Sequence, residues 1–240
     1  MSRIDDFRFP KGGDIAADIA AKYGAQGALA QIYVGNTGPI VHKWHHYLPI
    51  YERYFAPWRN RPLRFLEIGV SKGGSLQMWR QYFGPEAVIF GIDIDPTCAA
   101  FDGLAASVRI GSQADAAFLA DVVAEMGGVD VVLDDGSHRM EHVATSLGIL
   151  FPLLAVGGTY MIEDLHTAYW PNFGGGLGRR GNFFNEVRGM IDDMHHWYHG
   201  QGVIHPERAD MVSGLHVHDS IVVIDKAQAW RPTHSQVGQK

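Results

Sequence analysis

The chain has 240 residues, 46% of them hydrophobic, and a formal net charge of −6. This length suits one α/β domain with a short extension, because a single core rarely grows beyond roughly 250–300 residues. The acidic balance leaves no basic stripe and excludes a protein built to neutralise nucleic-acid phosphates.

The sequence carries no sign of export or of membrane insertion. Cys98 is the single cysteine, which excludes an internal disulfide framework. The start, MSRIDDFRFPKGGD, lacks the apolar core of a signal peptide, and no apolar run is long enough for a membrane helix. We therefore expect a cytoplasmic protein with no membrane partner.

Helical patterns come first in the chain. Residues 14–30 are rich in alanine, and residues 47–55 place aromatic side chains at helical spacing beside several histidines. Together these patterns predict a helical cap or extension over residues 1–60.

From Leu63 onward, short apolar strands alternate with longer helical segments. This alternation is typical of right-handed βαβ crossovers and predicts an α/β fold with a doubly wound parallel sheet. Two final apolar runs, joined by His218 and Asp219, predict a hairpin. The predicted strands are 64–68, 87–92, 107–110, 129–133 and 158–162, the helices 75–82, 114–126, 141–150 and 185–197, and the final runs 211–217 and 221–224. We place the domain at 61–230 and a tail at 231–240.

The loop after the first strand, EIGVSKGGS, predicts a cofactor site. Open α/β sheets bind ligands beyond the carboxyl ends of their strands, and glycines let the backbone approach a ligand. A dinucleotide-binding loop would have glycine in place of Ser71, and the carboxylate of Glu67 favours a cationic ligand over a pyrophosphate. The predicted contacts are Glu67, Gly69, Ser71, Gly74 and Ser75. The alternative is an ordinary tight strand-to-helix turn.

The next strand ends supply further cofactor candidates. Asp93 lies nineteen residues after Gly74 (93 − 74), near the spacing at which an acid reaches ribose hydroxyls. Its alternative role is to cap a turn or helix. Ser112 and Gln113 offer polar groups for an adenine edge after strand 3, and Asp134 at the end of strand 4 completes the predicted set.

Acidic residues follow strands 4 and 5, in the segments DDGSH and EDLH. Parallel strands bring both segments to one edge of the sheet, where packed like charges need a cation. Carboxylate oxygens with open positions favour Mg²⁺ or Mn²⁺ over zinc. We predict Asp135, Glu163 and Asp164 as metal ligands. The alternative is that these acids cap helices and face water.

His138 is the predicted general base. It follows Asp135 by three residues, so both side chains would face one pocket if the turn enters a helix. Imidazole titrates near neutral pH, which suits proton transfer. We therefore predict catalytic roles for His138 and Asp135, with a surface histidine as the alternative.

Four segments, LEIGVSKGGSLQMWRQYF, IFGIDID, VLDDGSH and MIEDLHTAYWPNF, resemble the macrolide-sugar O-methyltransferases. This is the family of mycinamicin and macrocin methyltransferases, which has cephalosporin-hydroxylase-like relatives. The resemblance covers about residues 43–225. Its most specific part is the pair of acidic segments, 28 residues apart (163 − 135), which is also similar to the metal site of catechol O-methyltransferases.

The resemblance implies a class I methyltransferase sheet of seven strands whose last hairpin is antiparallel. It implies S-adenosylmethionine as the cofactor, with Glu67, Gly69 and Asp93 in contact with it, and Mg²⁺ at the three predicted ligands beside His138. Some relatives have a large N-terminal domain that residues 1–60 do not match, so the acceptor is not carried over with the motifs.

The acceptor implied by the resemblance is a hydroxyl of a sugar on a small-molecule glycoside. Tyr169 and Trp170, with His166 nearby, would border it. The resemblance also implies a homo-oligomer, because similar enzymes assemble from several copies.

Other functions stay open. A nicotinamide-dependent oxidoreductase fits the glycine-rich loop and Asp93 but leaves the acidic segments unexplained. A non-catalytic metal-binding or assembly module could keep the same fold, whereas a hydroxylase would need two histidines and one carboxylate that these motifs lack. His195 and His199, with His196 between them, share a helix face and could hold a transition metal, although no third ligand is evident.

Overall fold

The structure, a computed structural model, describes residues 7–239. Its strands are β1 Leu63–Ile68, β2 Ala87–Asp93, β3 Ser107–Ile110, β4 Val129–Asp134, β5 Leu154–Ile162, β6 Val212–His218 and β7 Ile221–Lys226. They form one seven-stranded sheet in the order β3-β2-β1-β4-β5-β7-β6. Strands β1 to β5 are parallel, whereas β7 lies antiparallel between β5 and β6. The predicted doubly wound sheet with a final antiparallel hairpin is therefore confirmed.

The helices precede the sheet and connect its strands. They are α1 Ile15–Tyr23, α2 Ala28–Val34, α3 Tyr47–Phe55, α4 Gly74–Phe83, α5 Ala116–Met126, α6 Met140–Leu153, α7 Phe183–Met194 and α8 His196–His199. The longest, α6, has 14 residues. Within residues 7–239 no helix has the length and apolar character needed to cross a membrane.

The prediction of one helix over residues 14–30 is wrong. Helix α1 ends at Tyr23 because Gly24 adopts a left-handed conformation, with φ at 65°, and its N–H bonds back to the carbonyl of Ala20. Helix α2 begins only after Gly27. The two glycines interrupt the alanine-rich pattern that suggested one helix.

The predicted helix over residues 185–197 is also divided. The side chain of Asn182 accepts a hydrogen bond from the N–H of Phe184, so α7 begins earlier than predicted. His195 leaves the helical conformation, with φ at −104° and ψ at 12°, and separates α7 from α8.

The hairpin turn is shifted by one residue from its prediction. His218 still pairs with Ile221, so the turn consists of Asp219 and Ser220. Ser220 has φ at 65°, and its Oγ lies 2.8 Å from the hydroxyl of Tyr47. The hairpin therefore reaches the start of α3.

Alternate side chains of each central strand pack on opposite faces of the sheet, as the period of a strand requires. In β1, Leu66 and Ile68 join an apolar cluster with α5, α6 and α7, whereas Phe65 joins a second cluster with α3 and α4. Tyr51 and Phe55 of α3 are fully buried in this second cluster. Helix α3, which precedes the sheet in the sequence, is thus part of the sheet's own core.

An ion pair joins β1 and β4 at the edge of the sheet opposite the carboxyl ends of these strands. One Asp130 oxygen accepts the backbone N–H and the Nε of Arg64, both at 2.9 Å, and the other accepts Nη2 at 2.5 Å. Burial would raise the pKa of Asp130, but the hydrogen bonds and charge of Arg64 outweigh it and lower that pKa. The pair therefore stabilises the folded state with Asp130 ionised.

Replacing Asp130→Asn should lower the free energy of unfolding by about 1–3 kcal/mol at pH 7, because hydrogen bonds to a charged group are lost. Urea unfolding of the variant and the wild type measures this difference. The pKa of Asp130 is lower in the folded state than in the unfolded state, where it is about 3.9. The difference in unfolding free energy should therefore reach its full value above the unfolded pKa and vanish as pH falls through the folded pKa.

Asp121→Asn, at an exposed position on α5, is the matched control and should change stability by less than about 0.5 kcal/mol. Equal losses in the two variants would contradict the role assigned to the ion pair.

Candidate functional site

A cavity of about 400 Å³ opens beyond the carboxyl ends of the parallel strands. The strand order reverses between β1 and β4, which is where open α/β sheets bind ligands. Ten predicted residues line it: Gly69, Ser71, Ser75, Asp93, Ser112, Gln113, Asp135, His138, Glu163 and Asp164. Six lining residues that the sequence did not reveal precede or begin α3: Ile40, Val41, His42, Lys43, Trp44 and Tyr47.

Asp93 holds the glycine-rich loop in place. One of its oxygens accepts the N–H groups of Val70 and Ser71, and the other accepts the N–H of Asp95, each at 2.9 Å. Burial would raise the pKa of Asp93, but these backbone donors outweigh it and lower that pKa. An ionised carboxylate offers about four acceptor sites, so Asp93 keeps capacity for a ligand hydroxyl.

Two glycines permit close contacts around the loop. Gly69 has φ at 99°, and a Cβ there would lie 2.1 Å from the carbonyl oxygen of Asp135. Gly74 does not line the cavity, but a Cβ there would lie 2.3 Å from the carbonyl oxygen of Ile40. The first glycine lets β1 and β4 end side by side, and the second lets the segment before α3 cross the start of α4.

Glu67, a predicted cofactor residue, lies behind the cavity lining. Its carboxylate accepts hydrogen bonds from Ser75 Oγ at 2.8 Å and Trp79 Nε1 at 3.0 Å. Burial raises the pKa of Glu67 to about 7, although Lys43 opposes that shift. Its direct contact with the cofactor stays a prediction.

Asp134, the other predicted acid behind the lining, fixes Gln113. It accepts Ser146 Oγ at 2.5 Å and Gln113 Nε2 at 3.2 Å, while Gln113 Oε1 accepts the N–H of Ser137 at 2.8 Å. Burial raises the pKa of Asp134. The Gln113 amide, which does line the cavity, is therefore held in one orientation.

Ligand atoms of Asp135, His138 and Asp164 all lie within 4.8 Å of one another. His138 Nε2 is 3.9 Å from Asp135 Oδ1 and 3.6 Å from Asp164 Oδ2. Carboxylate oxygens of Asp135 and Asp164 that lie within 4.8 Å of each other suit a divalent cation that prefers oxygen ligands. The residues present therefore fit Mg²⁺ or Mn²⁺. Glu163 is adjacent, but both of its oxygens lie 3.0 Å from Lys43 Nζ.

Lys43 lines the cavity beside these acids and was not predicted from the sequence. Its Nζ lies 2.6 Å from Asp135 Oδ2, and its side chain is only 2% exposed. Burial would lower the pKa of Lys43, but the charges of Asp135, Glu163 and Glu67 outweigh it and raise that pKa. Three acids share this one ammonium, so burial and Asp135 still raise the pKa of Glu163. No local pattern around HKWHH marks Lys43 as buried.

Backbone strain is concentrated in this site. Among residues 7–239, five non-glycine residues have positive φ, and three of them, Ser71, His138 and Asp164, line the cavity. Such conformations cost about 1–3 kcal/mol each and persist where the surroundings impose them. Thr167 Oγ1, 2.7 Å from the Asp164 carbonyl and 3.1 Å from that of His138, ties the two loops together.

The helical turn on which the pairing of Asp135 and His138 was made conditional does not form, because α6 begins only at Met140. The left-handed backbone conformation of His138, φ at 55°, brings its ring near Asp135 instead.

The three predicted acceptor residues lie outside the cavity lining. His166 Nδ1 is 2.7 Å from Ser220 Oγ, and its ring lies 5.4 Å from that of Trp44 and 4.8 Å from that of Trp170. Tyr169 is half exposed and contacts Phe184. Their role beside the acceptor stays a prediction.

The histidines at the end of α7 are held by backbone carbonyls. His195 Nδ1 lies 2.7 Å from the Ile191 oxygen, and His199 Nε2 lies 2.9 Å from the Asp192 oxygen. The part of the chain that the structure describes contains one three-residue group able to hold a metal, and these histidines are not in it.

Comparisons with known proteins match this chain to methyltransferases. A family model described as a methyltransferase domain matches residues 66–165. The 8-demethyl-8-(2-methoxy-alpha-L-rhamnosyl)-tetracenomycin-C 3'-O-methyltransferase of Streptomyces olivaceus is 38% identical over 197 residues, which cover 77% of this chain and 50% of that protein. Demethylmacrocin O-methyltransferase of Streptomyces fradiae is 37% identical over 230 residues, 84% of this chain and 57% of that protein.

A solved structure gives the same result for the fold. The MycE methyltransferase from the mycinamycin biosynthetic pathway, in complex with Mg, SAH and mycinamycin VI, matches with a TM-score of 0.71 and 32% identity over 90% of this chain and 54% of that one. The chain belongs to the class I methyltransferase family of these enzymes. The chain spans about half the length of the curated relatives that it matches. Similarity alone therefore does not assign their activities to this chain.

Gly69→Ala should destabilise this methyltransferase-family chain far more than Gly103→Ala. Both glycines have positive φ, 99° and 77°, so both substitutions carry a backbone strain of about 1–3 kcal/mol. A Cβ at Gly103 meets nothing within 4 Å, whereas one at Gly69 would overlap the backbone of Asp135. Urea unfolding measures both losses, and an equal loss would contradict the close contact between the two loops.

Proposed function

We propose that this chain transfers a methyl group from S-adenosylmethionine to a hydroxyl of a sugar on a small-molecule glycoside, with the help of Mg²⁺ or Mn²⁺. The observation that carries the proposal is that one cavity holds the glycine-rich loop and Asp93 beside His138 and the carboxylates. A cofactor on one side of this cavity would meet an acceptor on the other, and such proximity is a major part of catalysis.

The cofactor side suits S-adenosylmethionine. Asp93 has acceptor capacity for ribose hydroxyls, and Gln113 presents a fixed amide. The acidic surroundings favour a ligand with a positively charged sulfonium over a pyrophosphate. The MycE complex contains SAH, which supports this cofactor over a nicotinamide.

The metal ligands that we propose are Asp135, Glu163 and Asp164. Their oxygens are the donor type that Mg²⁺ and Mn²⁺ prefer, and the MycE complex contains Mg. When bound, the cation would act as a Lewis acid that lowers the pKa of the acceptor hydroxyl.

His138 would accept the proton of that hydroxyl. Its distances of 3.6 and 3.9 Å to the neighbouring carboxylates are too long for hydrogen bonds, so Nε2 is not committed to them. Thr167 holds its backbone instead. A nitrogen bound to the metal could not accept a proton, so this role needs a metal held by the carboxylates.

An aromatic row beside the carboxylates supports a sugar acceptor. The ring centroid of His166 lies 5.4 Å from that of Trp44 and 4.8 Å from that of Trp170. His166 Nδ1 lies 3.9 Å from Asp164 Oδ1. The hydroxyls of a sugar suit the charged side of this site, and its C–H groups suit the aromatic side. Ligand sites commonly combine aromatic side chains with a few polar groups in this way. The relatives' names include rhamnosyl tetracenomycin and demethylmacrocin acceptors.

Calorimetric titration of SAH, followed by SAM-dependent methylation of a panel of rhamnosides and other deoxysugar glycosides, tests the function. The wild type should bind SAH with a Kd on the order of micromolar and should not bind NAD⁺. His138→Ala should bind SAH equally well but methylate about 10²- to 10⁴-fold more slowly, the usual effect of losing a general base.

The control is His199→Ala on α8, outside the cavity lining. It should leave both the SAH affinity and the methylation rate unchanged. Full turnover in His138→Ala would remove the base assignment. NAD⁺ binding without SAH binding would contradict the proposed function, and SAH binding without methylation of any acceptor or release of label from SAM would favour a non-catalytic module.

A further inference from the structure

Lys43 has an unusual environment for a lysine. It lies between α2 and α3 in a segment without helix or strand, yet its side chain is 2% exposed. Its Nζ is 2.6 Å from Asp135 Oδ2, 3.0 Å from both oxygens of Glu163 and 4.0 Å from Glu67 Oε1. A buried ammonium is costly unless it is paired, and here all three partners are carboxylates.

The ammonium is the main positive charge that these acids face. Within residues 7–239, no other lysine or arginine forms an ion pair with Glu67, Asp135 or Glu163. The other titratable groups that face these acids include Tyr51 and Asp164 beside Glu163, and His138, whose Nε2 lies 3.9 Å from Asp135 Oδ1. Without Lys43, the buried carboxylates of Glu67 and Glu163 would repel each other and the partly exposed carboxylate of Asp135.

Asp135 is placed between this ammonium and the proposed metal position. Its Oδ2 faces Lys43, whereas its Oδ1 faces His138, and one of its carboxylate oxygens belongs to the group of atoms that could hold a cation. Glu163 gives both of its oxygens to Lys43. A divalent cation must therefore share both acids with a positive charge that the chain itself supplies.

We propose that Lys43 is a resident counter-ion and positioning residue, which holds Asp135 and Glu163 in place in the metal-free protein and competes with the divalent cation for them. The inference rests on the proposed function, because it assigns the metal to these carboxylates. It predicts opposite effects of one substitution: loss of Lys43 destabilises the metal-free protein and strengthens metal binding.

The test is Mn²⁺ binding to Lys43→Met, measured by electron paramagnetic resonance of the free ion, together with thermal unfolding with and without Mn²⁺. Removing a like charge beside the site should tighten Mn²⁺ binding by at least about tenfold, since the Lys43 ammonium is buried and its repulsion of a nearby cation is weakly screened. The variant should melt below the wild type without metal and regain most of the difference with Mn²⁺. Lys43→Arg, which keeps the charge, should bind Mn²⁺ within about threefold of the wild type.

Lys226→Met is the matched control, because Lys226 is also buried but donates to the carbonyl oxygens of Phe151, Pro152 and Leu154 and, among residues 7–239, to no carboxylate. It should lose stability with no change in Mn²⁺ affinity and no rescue by the metal. Mn²⁺ affinity that is unchanged or weaker in Lys43→Met, with normal binding in the wild type, would overturn the competition while leaving the proposed function intact. Absence of Mn²⁺ binding in both proteins would overturn the metal site itself and the inference with it.

Discussion

Three carboxylates from different parts of the sheet share one ammonium group, and the rest of the site is arranged around this ion cluster. Glu67 belongs to β1, whereas Asp135 and Glu163 follow β4 and β5, and all three approach Lys43 within 4.0 Å. Parallel strands bring their carboxyl ends together whatever the side chains are, so acids at these positions must be neutralised. Lys43 supplies the charge from a segment that has no regular structure of its own.

The aromatic core explains how such a segment can place a charge. Tyr51 and Phe55 of α3 pack against Trp79, with ring centroids 5.3 and 5.5 Å apart, and the Lys43 ammonium lies 5.7 Å from the centre of the Tyr51 ring. The Tyr47 hydroxyl, at the start of the same helix, donates to Asp164 at 2.7 Å. Packing of α3 therefore fixes the lysine and one acid together, and the site is preorganised by the hydrophobic core beneath it.

The sheet could be read from the sequence because its signals are local: apolar runs of strand length, polar residues at their ends and glycines in the loops. The same local signals predicted the residues that line the cavity from the strand ends, such as Asp93 and Asp135. Lys43 could not be found in this way, because its partners Asp135 and Glu163 are 92 and 120 residues away. The conformation of His138 was also hidden, because positive φ in a non-glycine residue is imposed by tertiary contacts.

The most direct test of the account is a crystal structure of the protein grown with SAH and Mn²⁺, with the metal located by its anomalous scattering. The account predicts one Mn²⁺ within about 2.2 Å of carboxylate oxygens of Asp135, Glu163 and Asp164, as oxygen ligation requires. It also predicts SAH in the cavity beside Asp93, with Lys43 still in contact with Asp135. A metal bound away from these acids, or SAH outside this cavity, would contradict the claim that the carboxyl edge of the sheet is a metal-dependent methyl-transfer site.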